Sequence, residues 1–136
     1  MTMDSWRFWV FVAGLSGIAA VGAGAYGCHT LPDDPKIRDA FEIAVQYHMF
    51  HTLALFAVAW LKKSSRHERS AYWAVRSGWF FLGGIFMFCG TLYSYCLTGI
   101  NPIPIGAPIG GGMFLGAWAM LAWSVFRKSG TSGSDD

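Results

Sequence analysis

The sequence predicts an all-α polytopic membrane protein, four transmembrane helices in an up-down bundle, and three observations carry that prediction. The first is the scarcity of charge: 13% of the 136 residues are charged and 54% are hydrophobic, where a soluble domain carries charge on about a quarter. The second is where the charges fall. No Asp, Glu, Lys or Arg occurs from Phe8 to Pro32, from Ile43 to Leu61, or over the fifty residues from Ser77 to Phe126. A hydrocarbon core of about 30 Å needs about 20 apolar residues of helix to cross it, so each run is span-length or longer. The third is the texture of the runs, which are continuous and rich in Ala, Leu, Gly and Phe. A transmembrane barrel would instead alternate over segments of about ten residues.

The first helix is expected over about Phe8 to Gly27. Its length exceeds the hydrophobic region of a signal peptide, and it is read as a true span. Ser16, Ala20 and Gly24 recur at intervals of four, a spacing that lets helix backbones approach closely where lipid offers no hydrophobic drive for association. A polar loop is expected from Cys28 to Asp39, because Pro32 and Pro35 cannot continue a helix. The second helix, about Ala40 to Leu61, ends at Lys62 and Lys63, which open the basic stretch KKSSRHERS.

The third helix is expected from about Tyr72 to Thr98, with Trp73 and Trp79 at its entry and Tyr93 and Tyr95 at its exit. Aromatic residues at both ends mark the two membrane interfaces. The charge-free loop INPIPIGAP follows, and the fourth helix is placed at about Ile109 to Phe126, with Pro108 suited to its first turn. Gly112 and Gly116 form a GxxxG pair there, read as a helix-packing face. Residues 127–136 are expected to be a polar, disordered tail after a single domain covering 1–126.

Four spans put the N-terminus, the loop after the second helix and the C-terminus on one side. That side carries Arg7, Lys62, Lys63, Arg66, Arg69, Arg76, Arg127 and Lys128, against Lys36 and Arg38 on the other. The positive-inside rule therefore places both termini in the cytoplasm or in a mitochondrial matrix.

The residues able to do chemistry are few. His48 and His51 share a face of the second helix with Phe41, Ala44, Thr52, Leu55 and Ala59, opposite Glu42, Gln46 and Trp60. That face is expected to point inward, with the histidines about 12–16 Å below the outer end of the helix. Cys89, Tyr93 and Cys96 form a matching stripe on the third helix. With His29 these make a possible polar or ligand cluster of His29, His48, His51 and Tyr93, and an i, i+3 histidine pair can ligate one metal. Against a metal stands the lack of any carboxylate on the histidine face of the spans to orient a histidine, Glu42 lying on the opposite side. Hydrogen bonding between helices is the favoured reading, and no metal, cofactor or catalytic residue is expected. A disulfide between Cys28 and Cys96 is conceivable, with the third cysteine left over. A net charge of +2 and the absence of phosphate-binding or nucleophile motifs exclude nucleic-acid binding and the common motif-bearing enzymes.

The stretches LSGIAAVGAGAYGCHTL, AFEIAVQYHMFHTLALFAVA, GWFFLGGIFMFCGTLYSYCLTG and PIGGGMFLGAWAMLAW resemble, in order, the transmembrane protein 256 family. The resemblance covers about residues 12 to 123, and its most specific pieces are Gly24 to Gly27 with His29, His51 to Leu55, and Pro108 with Gly110 and Gly111. It implies a small four-helix membrane protein of bacteria or mitochondria and carries no activity with it. The expected function is accordingly non-enzymatic: an accessory subunit of a larger membrane complex, respiratory or ATP synthase if mitochondrial, with the mitochondrial inner membrane as its location, or the bacterial inner membrane for a prokaryotic chain. Its partners would be the lipid bilayer and other membrane subunits, or further copies of itself. The alternative is a metal- or haem-binding redox protein or small transporter using the histidines.

Overall fold

A computed structural model describes residues 5–126, and the tail expected at 127–136 lies outside them. Four helices long and apolar enough to span a membrane are present: α1 (Ser5–Thr30), α2 (Pro35–Ser64), α3 (Glu68–Thr98) and α4 (Gly106–Val125). The fold class is the expected one, and no strand occurs among the described residues. Each helix extends beyond or shifts from the limits that hydropathy suggested, and local hydrogen bonds decide several of the ends.

The first connection is the clearest case. The loop expected at Cys28 to Asp39 shrinks to four residues, 31–34. Nothing at Cys28 breaks the helix, and Thr30 closes α1 by donating its hydroxyl to the carbonyl of Tyr26. Asp34 then caps α2, its carboxylate accepting the amide of Lys36 at 2.9 Å. Pro35 occupies the first helical position, where its missing N–H would have had no partner anyway. At the other end α2 runs to Ser64, where the amide of Ser65 reaches the carbonyl of Leu61 at 2.9 Å. Helix α3 stops at Gly99, the one described residue with positive φ (71°), whose amide bonds Tyr95 O at 2.9 Å. Only glycine adopts that left-handed turn without steric cost.

Midway, α3 contains a π-helical turn over Ile85–Cys89, with the amide of Gly90 bonded to Ile85 O. Such turns insert one extra residue and re-aim the side chains around them. Here the turn faces α4 where the two backbones come closest. A Cβ on Gly110 would lie 2.7 Å from Phe88 Cβ and 2.8 Å from Phe88 Cα, so only glycine fits.

Helices α2 and α3 form the central pair, with α1 laid along α2 and α4 along α3. Trp9 of α1 reaches across to α3, fully buried on Gly78, where a Cβ would fall 2.7 Å from the indole. One apolar core runs through all four helices and includes Trp9, Ala13, Leu55, Phe81, Ile85 and Phe114. The outward faces are apolar too: Phe11, Ile18, Phe50, Trp60, Phe86 and Leu115 are all exposed. In water such a surface would be untenable; in hydrocarbon it is what a spanning bundle requires.

Candidate functional site

The inward face of α2 is the one its pattern indicated. Phe41, Ala44, His48, His51, Thr52, Leu55 and Ala59 are buried, while Glu42, Gln46 and Trp60 are exposed. Because α2 starts at Pro35, His48 and His51 sit about 20 and 24 Å along a helix of about 45 Å. They therefore lie near the middle of the helix, deeper than the 12–16 Å expected, and the difference comes from the residues the capped start adds.

The two histidines face different neighbours. His48 lies between α1 and α3, its Nε2 hydrogen-bonded to Ser16 Oγ at 3.1 Å and its Nδ1 to Tyr93 Oη at 3.3 Å. Ser16 Oγ is also hydrogen-bonded to Thr52 Oγ1 at 2.6 Å. The result is a chain Tyr93–His48–Ser16–Thr52 tying three helices together, with His48 7% and Thr52 2% exposed. Each hydroxyl can donate and accept, so every link is satisfiable within the chain.

His51 turns toward α4. Its ring stacks on Phe114, with centroids 3.5 Å apart and planes 5° from parallel, and Phe81 and Trp118 flank it. Nδ1 lies 2.6 Å from the carbonyl of Tyr47, one turn back. A carbonyl only accepts, so Nδ1 carries the proton. Nε2 is then the acceptor for the Trp118 indole N–H at 3.3 Å. These partners assign the neutral Nδ1–H tautomer and leave no ring nitrogen open.

The expected cluster of four is thus divided. The structure joins His48 to Tyr93, places His51 in a separate aromatic setting, and leaves His29 exposed on the last turn of α1. Among the described residues, no three His, Cys, Asp or Glu side chains gather where they could hold a metal. The cysteines are all free: Cys28 is exposed, Cys89 is buried, and Cys96 is buried beside the carbonyl of Ile37. Cys28 and Cys96 are therefore unbridged.

The packing residues are divided as well. Ser16, Ala20 and Gly24 face α2: Ala20 is fully buried, and a Cβ on Gly24 would make ordinary contact with Val45 at 3.5 Å. On α4, Gly116 meets Phe80, but Gly112 is exposed with nothing within 4 Å of where a Cβ would stand. The close face of α4 is instead Gly106, Gly110, Phe114 and Ala117. Within the bundle only Gly116 of the GxxxG pair packs on a neighbour: Gly110, Gly111 and Gly112 are consecutive, and spacing alone does not say which of three adjacent glycines faces another helix.

Trp118 and Phe114 are site residues that sequence reasoning did not single out, and Gly110 entered only through the family resemblance. Their spacing of four along α4 marks one helical face, the only signal that could have found them. That face borders an open apolar groove between α2 and α4 of about 850 Å³, lined by Tyr47, Phe50, Leu53, Phe88, Leu115 and Trp118, with His51 at its floor.

A bundle with four spans, lipid-compatible outer faces and an interior closed by its own hydrogen bonds defines a small helical integral membrane protein. The chain belongs to the family described as "Protein of unknown function (DUF423)", whose model matches residues 23–111, a stretch that includes His48, His51 and Tyr93. It is 34% identical to the UPF0382 membrane protein YwdK of Bacillus subtilis over 89% of this chain and 98% of that one. It is 34% identical to the UPF0382 membrane protein SAB0533 of Staphylococcus aureus over 91% and 99%. It is also 31% identical to the UPF0382 inner membrane protein YgdD of Escherichia coli over 89% and 91%. The resemblance read from the sequence is met at the level of this family, in bacterial relatives, and the transmembrane protein 256 name itself is not shown by them. No solved structure matches the fold significantly.

Proposed function

We propose that this protein is a non-enzymatic packing subunit of the membrane, joining larger membrane proteins or further copies of itself in the plane of the bilayer. One observation carries the reading: both ring nitrogens of His48 and of His51 are engaged by protein atoms. A binding or catalytic interior would hold out a donor or acceptor toward its ligand, and these point into the bundle. What remains for contact is the outer surface, where Gly112, Leu115 and the α2–α4 groove offer small and aromatic residues together. Of the two locations considered, the bacterial inner membrane is proposed, because the relatives are bacterial. The basic loop and both termini are assigned to the cytoplasmic side by the distribution of Lys and Arg. The redox or transport alternative has no comparable support, since His29 stands apart from the other two histidines.

The test is extraction in mild detergent followed by native-gel and gradient fractionation with mass spectrometry of the fractions. The expected result is co-migration with other membrane proteins or as a defined homo-oligomer. Migration solely as a monomer would overturn the reading. Haem or metal bound in stoichiometric amount, and lost in a His48→Ala, His51→Ala double variant, would favour the alternative.

A further inference from the structure

At the end of the bundle that carries the basic loop, two cavities adjoin between the α2–α3 connection and the C-terminal end of α4. The larger, about 560 Å³, is lined by His67, Arg69, Ser70, Trp73 and Trp123 among others. The smaller, about 290 Å³, is lined by Ser65 and Arg66 and shares His67, Ser70 and Ser124 with the first. No Asp or Glu lines either one. Among the described residues neither Arg66 nor Arg69 is engaged in an ion pair. Arg66, Arg69, Ser65 and Ser70 thus line a cleft of adjoining cavities that presents positive charge, with no carboxylate of the described residues among its lining.

The other wall of the cleft is apolar and aromatic. Trp73 lies on the first turns of α3 and Trp123 near the end of α4, with Phe126 beside it. Tryptophan concentrates where the hydrocarbon meets the head groups, so this wall marks the level of the glycerol backbone of a lipid. A phosphate is the anion that guanidinium and hydroxyl groups grip best, through several charge-assisted hydrogen bonds at once. We propose that this cleft binds the phosphate of an anionic phospholipid, with Arg66, Arg69 and Ser70 at the head group and Trp73 and Trp123 against its glycerol and upper acyl region. The site is independent of the packing role proposed above, and either can fail without the other.

Full-length protein is to be placed in mixed micelles containing tail-labelled phosphatidylglycerol or tail-labelled phosphatidylcholine. Binding is read by energy transfer from tryptophan to the label. Sodium chloride at about 0.5 M shortens the Debye length to about 4 Å and suppresses the diffuse attraction of the whole loop. Phosphatidylglycerol is expected to bind at least about tenfold more tightly than phosphatidylcholine, and an Arg66→Gln, Arg69→Gln double variant to lose at least about tenfold in affinity. Both arginines are exposed, so the variant should fold. Lys62→Gln, a basic-loop change outside both cavities, is expected to alter affinity less than about twofold. Equal losses in Lys62→Gln and the arginine variant would mean general surface attraction and overturn the site. So would the absence of any preference for the anionic lipid. Displacement of the labelled lipid by excess inorganic phosphate would reveal a soluble-anion site and overturn the lipid assignment.

Discussion

The imidazole of His51 lies flat on the ring of Phe114, centroids 3.5 Å apart, while its Nε2 accepts the indole N–H of Trp118. This one side chain on α2 provides both apolar and polar contact with α4, a helix whose backbone packs chiefly on α3. The α2–α4 association therefore depends on side chains, where the α3–α4 association depends on glycine.

His51→Ala should remove the stacking and strand both the Trp118 N–H and the second lone pair of Tyr47 O. The expected loss is about 2–4 kcal/mol of unfolding free energy, measured by titration with a denaturing detergent. His51→Phe keeps the stacking surface and should lose only about 1 kcal/mol. Equal costs for the two variants would contradict a role for the stacking, and an unchanged stability in His51→Phe would contradict one for the hydrogen bond.

Ser16 and His48 should be energetically coupled. A double-mutant cycle with Ser16→Ala and His48→Ala is expected to give an interaction energy of about 0.5–1.5 kcal/mol. Thermal unfolding in detergent reads the same coupling. Strict additivity would show that the chain of hydrogen bonds contributes nothing to holding α1.

Two glycines two residues apart should behave oppositely. Gly110→Ala drives a methyl into the backbone of Phe88 and should lower stability by at least about 2 kcal/mol. Gly112→Ala meets open space and should stay within about 0.5 kcal/mol of the parent, since substitutions away from packed features rarely matter more. The comparison is made on monomer in the same detergent, so that an effect of Gly112 on self-association is read separately.

A membrane-impermeant maleimide should label one cysteine per folded chain. Cys28 is exposed at the end of α1, whereas Cys89 is 0% and Cys96 5% exposed. Applied to intact cells, the reagent should reach Cys28 from outside if the basic end is cytoplasmic. Labelling only after permeabilisation would reverse the proposed orientation.

Much of the architecture was legible in the residues. Three charge-free runs, the last divided by the proline-rich loop, located the four spans; the small residues sharing a helical face with His48 and His51 picked out the inward face of α2, and the spacing of Cys89, Tyr93 and Cys96 identified the face of α3 that meets it. Insertion into lipid is close to additive over residues, so a local sum suffices. Boundaries were less legible: Asp34 with Pro35 starts α2 before the apolar run begins, and a cap is a specific hydrogen bond rather than a property of composition.

Partner choice lay beyond the sequence. The residues alone left His29, His48, His51 and Tyr93 as one possible cluster, and Gly112 as a contact. Only the tertiary structure decided that His48 joins Ser16 and Tyr93, that His51 joins Trp118, that His29 joins neither, and that Gly110 takes the close contact on α4. Those outcomes depend on how each helix is rotated about its axis. That rotation is set by contacts between distant residues, Trp9 on Gly78 and Phe88 on Gly110, together with the extra residue that the π-helical turn inserts into α3. Each helix carries its apolar pattern within itself; the angle at which it meets its neighbours exists only once the neighbours are there.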